Sequence, residues 1–249
     1  MGENRLYKYL DAKGGKEMLK NGNLQFTNAT DLNDPFDCHP GLMDYSNANT
    51  KAAKVFGKEL IGRGEYINAR TRRNEAWICS LSKNYNSLLM WSYYNNHTGI
   101  CIGLDRAKTK DSLSHINNGI NIGAHEMEVQ YKEIIEKPDF FKSDYFEIFK
   151  YQLSTKAKAW EHEEEVRFLL IDPWTNNSRH HPCFVYGKES RVYHDISSDS
   201  FEALYFGVRI NKKDREALIK AAKKLNPEIK IYQMKIDPEA FKLKEELIS

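Results

Sequence analysis

The sequence contains no long apolar run and no paired cysteine motif, and both absences narrow the class of protein. No stretch approaches the roughly 18 apolar residues of a membrane helix, so we expect no membrane span and no membrane partner. The first ten residues hold no basic segment followed by an apolar run, so we expect no signal peptide. The 4 cysteines lie far apart without a Cys-x-x-Cys pair, which favours reduced thiols and a cytoplasmic location.

Several motifs that carry chemistry in other enzymes are also missing. There is no Gly-x-Gly-x-x-Gly, no phosphate-binding loop and no Gly-x-Ser-x-Gly. The zinc motif His-Glu-x-x-His is absent, because the run that begins at His162 lacks the second histidine. We expect the polar loop 172–182 to be exposed. We interpret His180 and His181, beside Cys183, as exposed residues rather than zinc ligands, so we expect no metal.

The remaining composition is that of an ordinary folded domain. The chain has 249 residues, of which 41% are hydrophobic and 29% charged, which suffices for a substantial core. The net charge of +2 neither requires nor excludes a nucleic-acid partner. Because no internal repeat or low-complexity linker divides the chain, we expect a single domain over residues 1–249.

Hydrophobic periodicity predicts strands and helices that mix without a regular βαβ rhythm. Strands are predicted over residues 5–10, 24–27, 77–81, 99–104, 127–131, 166–171, 203–210 and 230–236. Helices are predicted over residues 16–20, 47–73, 87–95, 140–160 and 212–225. The irregular alternation indicates an α+β fold with a central mixed or split, mainly antiparallel sheet flanked by helices.

Carboxylates crowd the entry to the apolar run at residues 166–171. In extended backbone, residues two apart share a face, so Glu163, Glu165 and Arg167 would point the same way. Such a group can hold a pair of sugar hydroxyls or stabilise a developing cation. The proximity of the two carboxylates can also raise one pKa towards acid–base catalysis. The alternative is a helix end, in which Glu163 and Arg167 form a solvated i,i+4 pair.

Two further segments have residue types that suit a ligand. Ser80 and Ser82 share one face of a predicted strand, where their hydroxyls either bind a ligand or face water. Residues 89–99 are rich in aromatics with polar tips. Two interpretations of that segment stay open at this point. Trp91, Tyr94 and His97 suit a nucleobase or a nicotinamide-like ring, whereas a core helix with a capping turn explains the same pattern.

Residues 33–37 have the composition of a turn around one aromatic side chain. Asn33, Asp34 and Asp37 can cap their own backbone, and the proline between them fixes the turn. Phe36 is the aromatic residue. The segment is either a structural corner or a ligand-facing loop.

The order and spacing of these segments resemble a bacterial family known as domain of unknown function 2971. The pattern is Leu-Tyr-Lys-Tyr at residues 6–9, Asn-Asp-Pro-Phe-Asp at 33–37, Cys-x-x-Ser at 79–82, Met-Trp-x-x-Tyr-x-x-His-x-Gly at 90–99 and Lys-x-x-x-Trp-x-x-Glu-x-Glu-x-Arg at 156–167. Lys156 and Trp160 thereby join the candidate ligand-binding residues. The resemblance does not by itself provide a reaction.

A second resemblance supplies one. Mono-ADP-ribosyltransferases carry a basic or His residue on a first strand, Ser-x-Ser on a later strand and then Glu-x-Glu. Residues 7–8, 80–82 and 163–165 are similar to this signature in the same order. The resemblance implies an ADP-ribosyltransferase-like fold and NAD as the substrate. Two positions depart from the signature, because Tyr-Lys replaces the first-strand Arg or His and Leu81 stands between the serines.

The same resemblance implies a role for each matched residue. Glu165 would hold a ribose hydroxyl and stabilise an oxocarbenium-like state as nicotinamide leaves, as carboxylates do in glycoside cleavage. Glu163 would orient the acceptor, and Ser80 would support the nicotinamide pocket. Tyr7 or Lys8 would meet the pyrophosphate or adenosine side.

Three functions therefore stand as hypotheses. The first is an enzyme that cleaves NAD and transfers ADP-ribose to a protein or nucleic acid, or hydrolyses NAD; it would be a toxin-like effector in phage defence, with an antitoxin as a candidate partner. The second is a nucleotide-binding or sensor module without catalysis. The third is a nucleic-acid-processing protein that uses Arg70, Arg72, Arg73 and the basic helix 212–225.

Overall fold

The computed structural model describes residues 4–94, 96–114, 116–117, 120–121, 123–171 and 190–248. The predicted loop at 172–182, with His180 and His181, and also Cys183 lie outside the described residues. Within the described ranges, no helix combines the length and the apolar composition needed to cross a membrane.

The helices and strands follow one another in an irregular order. The α-helices are α1 (Ala12–Asn21), α2 (Lys51–Phe56), α3 (Lys58–Asn74), α4 (Leu88–Tyr93), α5 (Arg106–Leu113), α6 (Tyr145–Ser154) and α7 (Lys212–Leu225). The strands are β1 (Arg5–Leu10), β2 (Asn23–Asn28), β3 (Ala76–Ser82), β4 (Ile100–Asp105), β5 (Ile116–Asn117), β6 (Ile120–Asn121), β7 (His125–Glu128), β8 (Gln130–Lys132), β9 (Thr155–Ala157), β10 (Glu165–Ile171), β11 (Arg191–Asp195), β12 (Phe201–Phe206), β13 (Lys230–Ile236) and β14 (Leu243–Leu247).

Ten of these strands form one sheet in which almost all neighbours are antiparallel. The strand order is β11-β2-β3-β1-β4-β12-β13-β14, and β10 pairs with β3 and β7. Only β12 and β13 run parallel within this sheet as described. The predicted α+β fold, with a mainly antiparallel central sheet flanked by helices, is therefore confirmed.

The sheet divides into two halves at β3. Strand β10 pairs with β3 along its whole length. The other edge of β3 is shared by β2, which pairs at Trp77 and Ile78, and by β1, which pairs only at Ser82. Between these two contacts the Lys8 ammonium donates to the carbonyl oxygen of Ser80 at 2.8 Å. Strand β1 therefore separates from β3 on the side of Ser82 that faces Leu81 and Ser80.

The two faces of the sheet have different coverings. On one face, α1 and α7 pack against each other, and their apolar side chains join a core that includes Leu6, Phe168 and Leu204. The opposite face carries an aromatic cluster that includes Tyr7, Trp91 and Tyr205 together with α4. By strand alternation, Tyr7 and the residues that pair with it face this second side.

One predicted element is wrong in a way that affects the site. Residues 140–160 do not form one long helix. Helix α6 begins after Asp144, whose carboxylate accepts from the backbone N–H of Phe146 at 2.8 Å, and ends at Ser154. Strand β9 then pairs in parallel with β8, and Lys158–Glu163 forms a 3₁₀ segment. Inter-strand hydrogen bonds with β8 thus override the helical pattern.

Several other predicted helix and strand boundaries differ from those in the structure. The predicted helix 47–73 is two helices, because Gly57 between α2 and α3 adopts φ +90°. The predicted strand 127–131 is split between β7 and β8, and the predicted strand 203–210 ends at Phe206. Strands β1 and β13 and helix α7 have the bounds predicted from sequence. Helix α5 and strands β11 and β14 were not predicted.

Gly207, which follows β12, packs directly against the loop after α4. A Cβ atom at this position would lie 2.3 Å from the carbonyl oxygen of His97, which is backbone and cannot turn aside. We expect Gly207→Ala to lower the free energy of unfolding by about 1–3 kcal/mol through overpacking, measured by urea denaturation. Gly64→Ala is the control, because its Cβ would meet nothing within 4 Å on α3. It should raise stability by about 0.5–1 kcal/mol. Equal effects of the two variants would contradict this packing argument.

Candidate functional site

The centre of the candidate site is Arg167, whose side chain is completely buried. It lies on β10 two residues after Glu165, so both side chains point to the same face of the sheet. Its Nη1 and Nη2 atoms donate to the two carboxylate oxygens of Asp37 at 2.8 and 2.6 Å. Its Nε donates to Oε1 of Glu165 at 2.8 Å. This bidentate pairing with Asp37 is the strong form of an arginine–carboxylate contact.

A second buried cation, Lys156 on β9, completes what we call the ion-pair cluster: Asp37, Lys156, Glu163, Glu165 and Arg167. The Lys156 ammonium donates to Oε2 of Glu165 at 3.1 Å and forms a short ion pair with Glu163. It also lies 4.0 Å from Oδ2 of Asp37. The cluster therefore combines two cations with three carboxylates, all nearly inaccessible to water.

The two glutamates of the cluster titrate in opposite directions. Burial alone would raise the pKa of Glu165, but the Arg167 guanidinium and the Lys156 ammonium hold it well below its usual range. Burial raises the pKa of Glu163, although Lys156 opposes this shift. Glu165 is therefore firmly ionised at neutral pH, whereas Glu163 is the carboxyl that takes up a proton more readily.

Glu163 reaches the cluster by a route that neither sequence interpretation described. It ends the 3₁₀ segment rather than lying on β10, and Glu164 follows in the left-handed conformation with φ 44° and ψ 51°. The shared strand face is thus correct for Glu165 and Arg167 but wrong for Glu163. The alternative of a solvated i,i+4 pair between Glu163 and Arg167 is also wrong, because both side chains are buried and each pairs elsewhere.

A small cavity lies beside the cluster where β1 parts from β3, and we call it the cleft cavity. Its volume is about 50 Å³. It is lined by Tyr7, Lys8, Tyr9, Ser80, Leu81, Ser82, Met90, Tyr94, Glu163 and Glu165. The structure therefore brings together the first-strand pair, both serines and both glutamates that the sequence singled out.

The polar side chains that line the cleft cavity differ in their hydrogen bonds and in their exposure. The Ser82 hydroxyl is used by the turn after β3, since it accepts from the Asn84 backbone N–H at 3.0 Å. A hydrogen bond from Ser80 is among the contacts that lower the pKa of Glu165. Tyr94 is 40% exposed at the border of the cavity. Burial of its hydroxyl, with the nearby Glu163 charge, raises the pKa of Tyr94 to about 12.

Three other predicted residues lie apart from the cleft cavity. Trp91 is fully buried, where its Nε1–H donates to the carbonyl oxygen of Tyr85 at 2.8 Å and its ring packs edge-on against Tyr9. His97 lines a different groove of about 440 Å³ near the turn between β13 and β14. Trp160 lies next to the cluster, with its ring centroid 5.1 Å from the Lys156 ammonium.

The segment 33–37 is both a structural corner and a partly exposed loop. Asp34 caps the turn by accepting from the Phe36 backbone N–H at 2.9 Å, and Asp37 is pinned to Arg167. Asn33 is exposed, and Phe36 is 61% exposed. Phe36 lines a second cavity of about 240 Å³ and does not line the cleft cavity.

Two partners of the cluster carried no signal in the sequence. The backbone N–H of Glu165 donates to the Tyr131 hydroxyl at 2.8 Å, and Nη1 of Arg167 donates to the carbonyl oxygen of Leu153 at 2.8 Å. A carbonyl oxygen is common to every residue, and one tyrosine among 14 does not stand out. Among the described residues, no group of three or more His, Cys, Asp or Glu is arranged to hold a metal ion.

The fold and this cluster define an α+β protein with a buried group of paired acidic and basic side chains. Residues 90–168 match the family model described as Protein of unknown function (DUF2971), which confirms the resemblance that the sequence motifs indicated. The matched segment includes Lys156, Glu163, Glu165 and Arg167. A search of curated proteins and a search of solved structures each found no significant match.

The cluster predicts opposite consequences for neutralising its two glutamates. Glu165→Gln removes the buried carboxylate that accepts from both Arg167 and Lys156, and we expect a loss of about 3–5 kcal/mol in the free energy of unfolding. The depressed pKa of Glu165 means that its stabilisation is present above the ordinary glutamate value of about 4.3 and is lost as pH falls through the folded-state value. Denaturant titrations should therefore show the largest deficit near neutral pH.

Glu163→Gln should behave differently. Because the pKa of Glu163 is raised in the folded state, ionisation of this group costs stability as pH rises. The amide cannot ionise, so the stability of the variant should rise relative to that of wild type as pH rises above the ordinary glutamate value of about 4.3. Denaturation midpoints measured across this range test the sign. A variant whose stability falls relative to that of wild type as pH rises would contradict the raised pKa assigned to Glu163.

Proposed function

We propose that this chain is an ADP-ribosyltransferase-like enzyme that cleaves NAD and transfers ADP-ribose to water or to a macromolecular acceptor. The observation that carries the proposal is the composition of the cleft cavity. Three segments distant in sequence, with Tyr7, Ser80 and Glu163 among their residues, meet where the sheet parts, in the order that the resemblance requires. The ion-pair cluster fixes the carboxylate side of this cavity.

The hydrogen bonds divide the work between the two glutamates. Oε1 of Glu165 accepts from Arg167, and Oε2 accepts from both Arg167 and Lys156. The negative charge of Glu165 is therefore largely neutralised by cations that are fixed in place. Glu163 forms its ion pair with Lys156, accepts no hydrogen bond from Arg167 among those of the described residues, and lines the cavity. We therefore assign the contact with the ribose to Glu163, and to Glu165 the positioning of Lys156 and, through it, of Glu163.

The reaction follows from this placement. The bond between the ribose C1′ and the nicotinamide nitrogen breaks, and its electron pair leaves with neutral nicotinamide. The Glu163 carboxylate stabilises the positive charge that develops on the ribose. A hydroxyl of water or of the acceptor then attacks C1′, and its proton passes to Glu163, whose raised pKa suits it to accept one.

The size of the cleft cavity sets one requirement. Ligand sites usually enclose about 300–1,000 Å³, so the cleft cavity of about 50 Å³ holds one small group and not a dinucleotide. The proposal therefore requires the Tyr94 side of the cavity to open on NAD binding. Tyr94 is 40% exposed and is the most exposed residue of the cavity lining.

The closed cavity also favours the second candidate, a nucleotide-binding or sensor module without catalysis. A Glu165 whose two oxygens are already hydrogen-bonded and a small cavity suit a site that binds one ring or one sugar and does not turn it over.

For the nucleic-acid hypothesis, Arg73 is partly committed to the fold, since its Nε donates to the carbonyl oxygen of Ala29 at 3.2 Å, while Arg70 is exposed. Nucleic acid therefore enters here as a candidate ADP-ribose acceptor.

Nicotinamide release from NAD, with and without cell lysate, tests the proposal. We expect wild type to release nicotinamide and Glu163→Gln to lose roughly 100-fold or more of that rate. Glu161→Gln is the matched control, because Glu161 is an exposed carboxylate two residues away and should keep the wild-type rate. A dependence on lysate would indicate transfer to an acceptor, and its absence would indicate hydrolysis.

Glu165→Gln alone would be a poor test, because its expected instability removes activity whatever the mechanism. An unchanged rate in folded Glu163→Gln would overturn the assignment of Glu163. If wild type releases no nicotinamide under either condition but a thermal shift shows that it binds the nucleotide, the binding module replaces the enzyme.

A further inference from the structure

Helices α1 and α7 are strongly basic, although the chain as a whole is nearly neutral. Together they contain nine basic and three acidic residues, a net charge of +6, whereas the net charge of the whole chain is +2. The remainder of the chain is therefore acidic. Charge of one sign that is concentrated on two helices attracts a partner of the opposite charge.

The two helices lie side by side and run in the same direction. They pack against each other on the face of the sheet opposite to the aromatic cluster. A Cβ atom on Gly15 would lie 3.7 Å from the Leu218 side chain, and one on Gly22 would lie 3.3 Å from the Leu225 side chain. The contact thus advances by the same number of residues on both helices, so the helices are parallel. Their outer faces therefore form one continuous surface.

This surface presents exposed lysines from both helices, and we call them the lysine face: Lys13, Lys16, Lys20, Lys212, Lys213, Lys220 and Lys224. Among the described residues, the only ion pair that involves any of them joins Lys212 to Glu216 at 3.9 Å. Most of the positive charge of the lysine face is therefore left without a carboxylate from the described part of the fold.

Helix stability does not account for the positions of all these lysines. A lysine in the last turn interacts favourably with the helix dipole, which explains Lys20 and Lys224. In the first turn a positive charge is unfavourable, yet Lys13 is the second residue of α1, and Lys212 and Lys213 begin α7. Sequence features that oppose local stability are expected at functional surfaces.

The residue types that the lysine face lacks restrict its partner. Neither helix contains Phe, Tyr, Trp or His, and neither exposes a large apolar side chain. Proteins bind single-stranded nucleic acid through aromatic side chains on which the bases stack, and helices that lie on membranes insert apolar side chains into the lipid. A duplex requires neither, because lysine ammonium groups bind its phosphates from outside.

From these observations we infer that the lysine face binds the phosphate backbone of double-stranded nucleic acid without regard to sequence. Each lysine that meets a phosphate displaces a condensed counter-ion, and the release of these ions drives binding at low salt. The inference does not rest on the proposed NAD cleavage, since no residue of the lysine face lines the cleft cavity.

Fluorescence anisotropy of a labelled DNA duplex of about 20 base pairs, titrated with the full chain, tests the inference. The slope of log K against log salt is about −0.9 for each phosphate contacted. With about four contacts, we therefore expect the affinity to fall roughly 100-fold between about 50 and 200 mM salt. A single strand of the same length should bind more weakly than the duplex.

The combined substitution Lys16→Gln, Lys213→Gln and Lys220→Gln tests the assignment to this face. Glutamine is about as good a helix former as lysine, so the thermal stability should be maintained. The affinity for the duplex should fall roughly 30-fold or more at about 50 mM salt. The salt slope should become shallower by about two to three units, since each lost phosphate contact removes about one.

The matched control is the combined substitution Lys51→Gln, Lys54→Gln and Lys58→Gln. It makes the same change of net charge at exposed lysines of α2 and α3. Because these lysines lie outside the lysine face, the affinity should stay within about threefold of wild type and the slope should not change.

Four outcomes would overturn the inference. The first is no binding of the duplex at about 50 mM salt, and the second is an equal loss of affinity in the two triple variants. The third is tighter binding of the single strand than of the duplex. The fourth is binding to vesicles of phosphatidylserine and phosphatidylcholine without binding to the duplex, which would make the lysine face a membrane-docking surface. None of these outcomes depends on whether the chain releases nicotinamide.

Discussion

The structure depends on one buried guanidinium. Arg167 has no contact with water, so its charge must be balanced by the chain itself. It is balanced by Asp37 from a loop 130 residues away, by Glu165 from its own strand and by the carbonyl oxygen at the end of α6. Three segments that are remote in sequence are thereby fixed to one side chain, and the loss of any one partner would leave a buried N–H group of the guanidinium without its acceptor.

The same balance explains why the two glutamates differ. The cluster holds three carboxylates and two cations, so one carboxylate is in excess if all are ionised. Arg167 and Lys156 both bond to Glu165 and lower its pKa. The effect of burial on Glu163 is compensated less, so the pKa of Glu163 is raised. Two chemically identical side chains, placed side by side, therefore acquire different proton affinities. Such a separation of pKa values is how a site obtains a charged group and a proton acceptor from the same residue type.

The sequence predicted what depends on local pattern. Alternation placed Glu165 and Arg167 on one strand face, and the apolar runs located β1, β13 and α7. It could not predict that Asp37 closes the arginine pair, since no local rule joins residues 37 and 167. It also placed Lys156 within a helix, because the pairing of β9 with β8 depends on a contact between segments that periodicity does not report. The exposure of Phe36 and the left-handed turn at Glu164 are likewise tertiary outcomes.

The rigidity of the cluster decides which parts of the site can move. Glu165, Arg167 and Asp37 are held by several charge-assisted hydrogen bonds each, and Lys156 is bonded to Glu165, so these side chains are fixed in place. Fixed charges cost no reorganisation when a ligand arrives, which is the condition for electrostatic stabilisation of a developing cation. Any opening must then come from the outer walls, at Tyr94 for the cleft cavity and at Ile134 for the cavity beside Phe36. The cleft cavity is lined by Glu163 and Glu165 and the cavity beside Phe36 by Lys156, so a ligand in either meets a member of the same fixed charge cluster.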